Sequence, residues 1–97
     1  MFHHVVLLEF CDPEDAQQIE FMREQCEFLD AEIEQLLHIE FRKNLADRGR
    51  EFTHAIITQF QSAQKHDEYQ IHPAHLLVKD RIKNTIKSLL VLDYEQT

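Results

Sequence analysis

Apolar residues follow two different periods along this chain, and the changes of period predict its elements. Residues His3–Cys11 form an apolar, β-rich run, which predicts a strand with apolar side chains on both faces. From about residue 13 to 31, apolar residues recur every three or four positions, which predicts a helix that Asp12 caps and Pro13 begins. Apolar and polar residues alternate from Leu36 and again over Glu51–Gln61, which predicts two further strands.

The second half of the chain predicts two short helical pieces and a last strand. Ser62 is a suitable cap for a helix through Tyr69, and Pro73 begins a second stretch to about Lys83. The apolar run Ser88–Tyr94 predicts a buried strand. The order β-α-β-β-α-β predicts a single α+β domain over residues 1–97, with a ferredoxin-like fold and a four-stranded antiparallel sheet.

Helices on one face of such a sheet leave the other face bare. Alternation puts Val5, Leu7, Ala55 and Ile57 on that bare face, together with residues of the last strand. An apolar face of this size is unfavourable in water. We therefore expect a homodimer that packs sheet against sheet.

Charge and composition then exclude several classes of partner. The chain carries a formal net charge of −8, which argues against binding to nucleic acid or to an anionic membrane surface. It has no apolar run of 18 residues and no basic leader before its first strand, so we expect a cytoplasmic protein. Cys11 and Cys26 are too few for a disulfide framework or a zinc module. One glycine cannot form a phosphate-binding loop, and we expect no cofactor.

Residues that can act as a base or as a hydrogen-bond donor are concentrated between Tyr69 and His75, where the sequence is Tyr-Gln-Ile-His-Pro-Ala-His. Pro73 fixes a helix start, so His75 lies in the first helical turn, where the positive end of the helix favours a neutral imidazole. A neutral imidazole can act as a general base, and the nearby Tyr69 can donate a hydrogen bond to an oxyanion. The alternative is structural: His72 caps the helix, while Tyr69 and His75 pack beneath the loop.

Five segments of the chain also resemble the stress-responsive A/B barrel (Dabb) family. They are His4–Phe10, Thr53–Ala55, Phe60–Ser62, Tyr69–His75 and Val91–Tyr94, so that the resemblance covers nearly the whole chain. It implies a dimeric α+β barrel. A cyclase of this family closes a linear polyketide by an aldol condensation that needs no cofactor.

By this resemblance, Tyr69 and His75 are the catalytic pair. The resemblance and the strand alternation together imply a substrate-binding group between sheet and helices, which consists of His4, Val6, Met22, Cys26, His54, Ile56 and His72. Arg23 lies beside the predicted pocket positions of the first helix, and we expect it in a surface salt bridge rather than on an acidic ligand.

Other interpretations of the histidines have less support in the sequence. A metal site of His4, His72 and His75 is disfavoured, because Pro73 separates the last two and no acidic or cysteine ligand stands at a recognisable spacing. We expect His3 at the dimer interface, and His38 and His66 on polar outer faces. Two functions stay open: a cofactor-free lyase or cyclase acting on a small carbonyl compound, or a non-catalytic stress-response or ligand-binding dimer.

Overall fold

The computed structural model describes residues 1–97 and arranges them as one antiparallel sheet with three helices. The strand order across the sheet is β2-β3-β1-β4. The predicted ferredoxin-like βαββαβ order is confirmed, with the second helical region divided in two. The elements are β1 (Phe2–Phe10), α1 (Ala16–Glu32), β2 (Leu36–Lys43), β3 (His54–Phe60), α2 (Ala63–Gln70), α3 (Pro73–Ile82) and β4 (Ile86–Glu95).

The helix starts follow local capping chemistry, with one correction to the sequence prediction. Asp15, and not Asp12, caps α1, because its carboxylate accepts a hydrogen bond from the backbone N–H of Gln17 (2.9 Å). Asp12 instead closes the preceding turn, where its carboxylate accepts from the backbone N–H of Glu14. Pro13 lies in that turn and does not begin the helix, which starts at Ala16. The remaining caps were predicted correctly: Ser62 caps α2 and His72 caps α3.

The strand β3 begins at His54, three residues later than the alternation predicts. Arg50 has a φ of 54°, a left-handed conformation that breaks an extended backbone. The chain re-enters the sheet through Thr53, whose N–H donates to the carbonyl of Leu8 and whose carbonyl accepts from the N–H of Asn44. The residues before His54 therefore belong to the connection and not to the strand.

The core lies between the sheet and the helices. The largest fully buried side chains are Phe10, Phe60, Leu8, Met22 and Ile33. Two apolar clusters form there, one around Leu29, Phe60 and Tyr69 and the other around Leu8, Phe10 and Met22. None of the three helices combines the length and apolarity needed to cross a membrane.

The opposite face of the sheet has no covering layer within one chain. Val5 pairs with Ile57 on one side and with Leu92 on the other, and Leu7 pairs in the same way with Ala55 and Leu90. Directly paired residues share a face, so these side chains form one apolar surface. The prediction that the last strand is buried is wrong for a single chain: β4 is an edge strand, and Leu89–Leu92 are exposed by 44–57%.

Candidate functional site

A cavity of about 340 Å³ opens between the sheet and the helices α1, α2 and α3. Its walls are mainly apolar, with side chains from every strand except β2. The polar groups that face it come from two histidines, a tyrosine, an aspartate, two glutamines and a lysine: His4, His75, Tyr69, Asp93, Gln25, Gln70 and Lys79. An apolar cavity with a few convergent polar groups is typical of a small-molecule site.

Tyr69 and His75 lie together on the helical wall. Their ring centroids are 4.4 Å apart, across the junction of α2 and α3. Tyr69 is almost fully buried, and burial raises the pKa of its phenol well above the usual value. The phenol therefore keeps its proton near neutral pH and can donate a hydrogen bond.

The imidazole of His75 is held in one orientation by the backbone carbonyl of Gln70. Its Nδ1–H donates to the carbonyl of Gln70 (3.1 Å), which leaves Nε2 as the basic nitrogen of the neutral ring. Burial is the main cause that lowers the pKa of His75, and the charge of Lys79 lowers it further. The neutral state agrees with the sequence prediction, but its main cause is burial and not the position at the helix start.

His4 lies on the sheet wall and is fixed by two contacts. Its Nδ1 donates to Oδ1 of Asp93, which pairs with it across β1 and β4. Its carbonyl accepts a hydrogen bond from the fully buried Thr58 hydroxyl (2.7 Å). The imidazole and the carboxylate together form a second polar group in the cavity, opposite Tyr69.

Seven of the nine predicted site residues line the cavity: Tyr69, His75, His4, Val6, Met22, Cys26 and Ile56. Burial raises the pKa of the Cys26 thiol to about 12, so this cysteine is an apolar wall and not a nucleophile. Arg23 forms the expected surface salt bridges, here with Glu20 and Glu27.

His54 and His72 do not line the cavity. His54 pairs with Leu8, whereas His4 pairs with Thr58, so the two histidines lie four positions apart along neighbouring strands, or about 13 Å. The ring of His54 packs between Phe10 and Phe41 instead. The Nδ1 atom of His72 accepts from the backbone N–H of Ala74 (3.0 Å), which is a capping contact.

The expectation that His66 lies on a polar outer face is wrong. His66 is only 7% exposed and packs against Phe2, Phe60 and His4. The ring centroids of His66 and His4 are 4.5 Å apart. One signal in the sequence could have indicated this: His66 precedes Tyr69 by three positions, so both lie on one helix face. Asp93 was also missed, although its alternation with Leu89 and Val91 puts it on the cavity face.

Comparison with known proteins identifies the family. The sequence profile described as the stress responsive A/B barrel domain matches residues 2–96. The chain belongs to the stress responsive A/B barrel domain family. The curated relative olivetolic acid cyclase of Cannabis sativa is 28% identical to this A/B barrel chain over 94 residues, which covers 94% of this chain and 92% of the cyclase.

Solved structures share the A/B barrel fold over nearly their full lengths. A crystal structure of an Arabidopsis thaliana protein is 26% identical, with a TM-score of 0.90 and coverage of 100% of this chain and 96% of that one. Hydroxynitrile lyase of Passiflora edulis is 19% identical, with a TM-score of 0.88 and coverage of 99% and 93%. A Bacteroides fragilis protein of unknown function, described as dimeric and ferredoxin-like, is 24% identical, with a TM-score of 0.80 and coverage of 98% and 95%.

Proposed function

We propose that this A/B barrel protein is a cofactor-free acid–base catalyst, a lyase or cyclase that acts on a small carbonyl compound. The observation that carries the proposal is the pair of Tyr69 and His75, which contact each other on the wall of an apolar cavity with the proton states that the chemistry needs. The kinship with a cyclase over nearly the whole chain supports the same reaction class.

In the proposed reaction, Nε2 of His75 removes a proton from the carbon next to a carbonyl. The electron pair of that C–H bond moves onto the carbonyl oxygen, and the Tyr69 hydroxyl donates a hydrogen bond to the resulting enolate. The enolate carbon then attacks a second carbonyl of the same molecule and forms a C–C bond. The imidazolium of His75 returns its proton to the new alkoxide, so that atoms and charges balance without a redox step.

The cavity walls limit the substrate class. Leu8, Met22, Leu29, Ile56 and Val91 supply an apolar surface, and the volume of about 340 Å³ suits a small molecule. His4 with its partner Asp93 faces the same space and can hold a second oxygen of the substrate. A small diketone or β-keto compound with an apolar tail therefore fits this proposal.

Solvent deuterium exchange tests the proton-abstraction step without knowledge of the natural substrate. We expect the protein to accelerate exchange at the α-carbon of a small β-diketone, measured by proton NMR. His75→Gln should abolish the acceleration, and Tyr69→Phe should reduce it by about 10²–10³-fold, the usual contribution of one hydrogen-bond donor to an oxyanion.

The matched control is His54→Gln, which removes a half-buried imidazole outside the cavity and should leave the exchange rate unchanged. Exchange no faster than with free imidazole would contradict the catalytic proposal. If the diketone binds but does not exchange, the non-catalytic ligand-binding alternative is supported instead.

We further propose that two chains associate through the bare faces of their sheets. Val5, Leu7, Ile57, Leu90 and Leu92 form the apolar surface that such a dimer buries. Leu90 and Leu92 are more than half exposed in the single chain, which is unfavourable in water. The description of the Bacteroides fragilis structure as dimeric supports this proposal.

A further inference from the structure

Three side chains that ligate metals in other proteins converge at the end of the cavity that His4 and Asp93 form. His4, His66 and Asp93 each present one ligand atom, and these three atoms lie within 4.8 Å of one another. They come from three different elements, β1, α2 and β4. The acid–base proposal for Tyr69 and His75 assigns no role to His66.

We propose that His4, His66 and Asp93 form a binding site for one divalent transition-metal ion, with Zn²⁺ as the representative ion. Two imidazoles and one carboxylate are a common ligand set for such ions, and three protein ligands leave a coordination position open. Because His4 and Asp93 line the cavity, an ion held by them would lie at the cavity wall, within reach of a small ligand.

The surroundings hold the three ligands near the positions that an ion needs. His4 and Asp93 are paired residues on neighbouring strands, and their side chains already contact each other. The ring of His66 is confined between Phe2 and Phe60, and the side-chain amide of Gln70 lies 2.8 Å from its Nε2. If this amide rotates to present its oxygen, it accepts a hydrogen bond from Nε2–H and leaves Nδ1 as the nitrogen that binds the ion, and such an acceptor orients a metal-binding imidazole.

Only small side-chain movements are needed to bind the ion. Two ligand atoms at tetrahedral angles with bonds of about 2.1 Å are roughly 3.4 Å apart, so the widest separation must close by roughly 1.4 Å at most. The Asp93 carboxylate must also part slightly from His4 to admit the ion. Its side chain is 39% exposed and has room to rotate.

The site differs from the other histidine–carboxylate pair of the protein. On the outer face, His38 Nε2 and Glu40 Oε2 are 2.8 Å apart, but both side chains are solvent-accessible and Glu40 also binds Arg42. That pair offers two ligands and a competing cation. His38 therefore provides the control for weak binding to surface histidines.

Isothermal titration calorimetry of Zn²⁺ into the chelator-treated full chain tests this site directly. We expect one Zn²⁺ per chain. His66→Leu and Asp93→Asn should each weaken binding by more than about 100-fold, because loss of an outer-shell partner alone costs about 10–100-fold. His38→Ala should bind like the wild type, and Zn²⁺ should raise the melting temperature of the wild type but not of the two site variants.

Two results would overturn the proposal: a wild-type affinity that His66→Leu and Asp93→Asn do not change, or binding that His38→Ala removes. If His66→Leu does not fold, Asp93→Asn decides alone by the same criterion, because it preserves the shape of the side chain. Neither result bears on deuterium exchange by Tyr69 and His75, so failure of the metal site and failure of the catalytic proposal can be distinguished.

Discussion

Burial lowers the pKa of three of the seven histidines, His54, His66 and His75, although only the last lines the cavity. His66 shows the causes most clearly: burial and the neighbouring His4 lower its pKa, and Asp93 and Asp67 partly oppose them. In the folded chain such a ring stays neutral at a pH where the unfolded chain has already bound a proton. The stability of the fold therefore depends on pH through individual imidazoles.

The sign of this dependence gives a prediction for His66. As pH falls through the ordinary value of 6.5, the unfolded chain takes up a proton on this ring and the folded chain does not, so the free energy of unfolding falls. The loss continues down to the lowered pKa of the folded state. Urea denaturation between pH 7.5 and pH 5 should show a smaller decrease in stability for His66→Gln than for the wild type, because glutamine does not titrate. An equal decrease in stability for the variant and the wild type would contradict this prediction.

At the scale of elements, the break between α2 and α3 sets the geometry of the site. Ile71 ends the first helix, and the cap His72 with Pro73 starts the second. This break lets Tyr69 at the end of α2 meet His75 at the start of α3. In one continuous helix, residues six positions apart would point in different directions.

The role of His72 at this break can be measured by substitution. His72→Ala removes the acceptor for the backbone N–H of Ala74 and should lower the free energy of unfolding by about 1 kcal/mol. His72→Asn, which keeps a capping acceptor, should retain most of that stability. Urea denaturation checks both variants. Equal losses for alanine and asparagine would show that the capping contact contributes nothing.

Local sequence signals predicted the elements of this protein but not every contact between them. Alternation and capping predicted the order of the elements and the cavity face of His4 and Ile56, because both signals are local. Alternation also put His54 on the cavity side of the sheet, but the position along the strand depends on pairing with β1, which the local pattern does not contain. The sequence prediction put His66 on a polar face because its neighbours Lys65, Asp67 and Glu68 are charged. In the structure, α2 buries only His66 and Tyr69.

At the scale of the whole molecule, the helices cover one face of the sheet and leave the other face bare. Polar His38, Glu40 and Arg42 lie on the bare face of β2, in register with β3. The apolar part of this face is thus displaced toward β1 and β4. Association is therefore expected to centre on that half of the sheet, with β2 at its rim.

A charge introduced at the centre of this surface should separate the two chains. We expect Leu92→Lys to elute as a monomer in size-exclusion chromatography with light scattering, because a buried, unpaired ammonium is strongly unfavourable. Leu76→Lys is the matched control, since Leu76 is similarly exposed but lies on α3. A wild-type chain that is monomeric at micromolar concentration would refute association through the sheet.

The contact between His4 and Asp93 joins residues 89 positions apart, so this end of the cavity exists only once the first and last strands have paired. Contacts of such long range form only after a large loss of chain entropy. A molecule that binds there recognises the completed β1–β4 pairing and no earlier intermediate. Ligands of this cavity would therefore act as folding probes and as pharmacological stabilisers, favouring the finished fold by mass action.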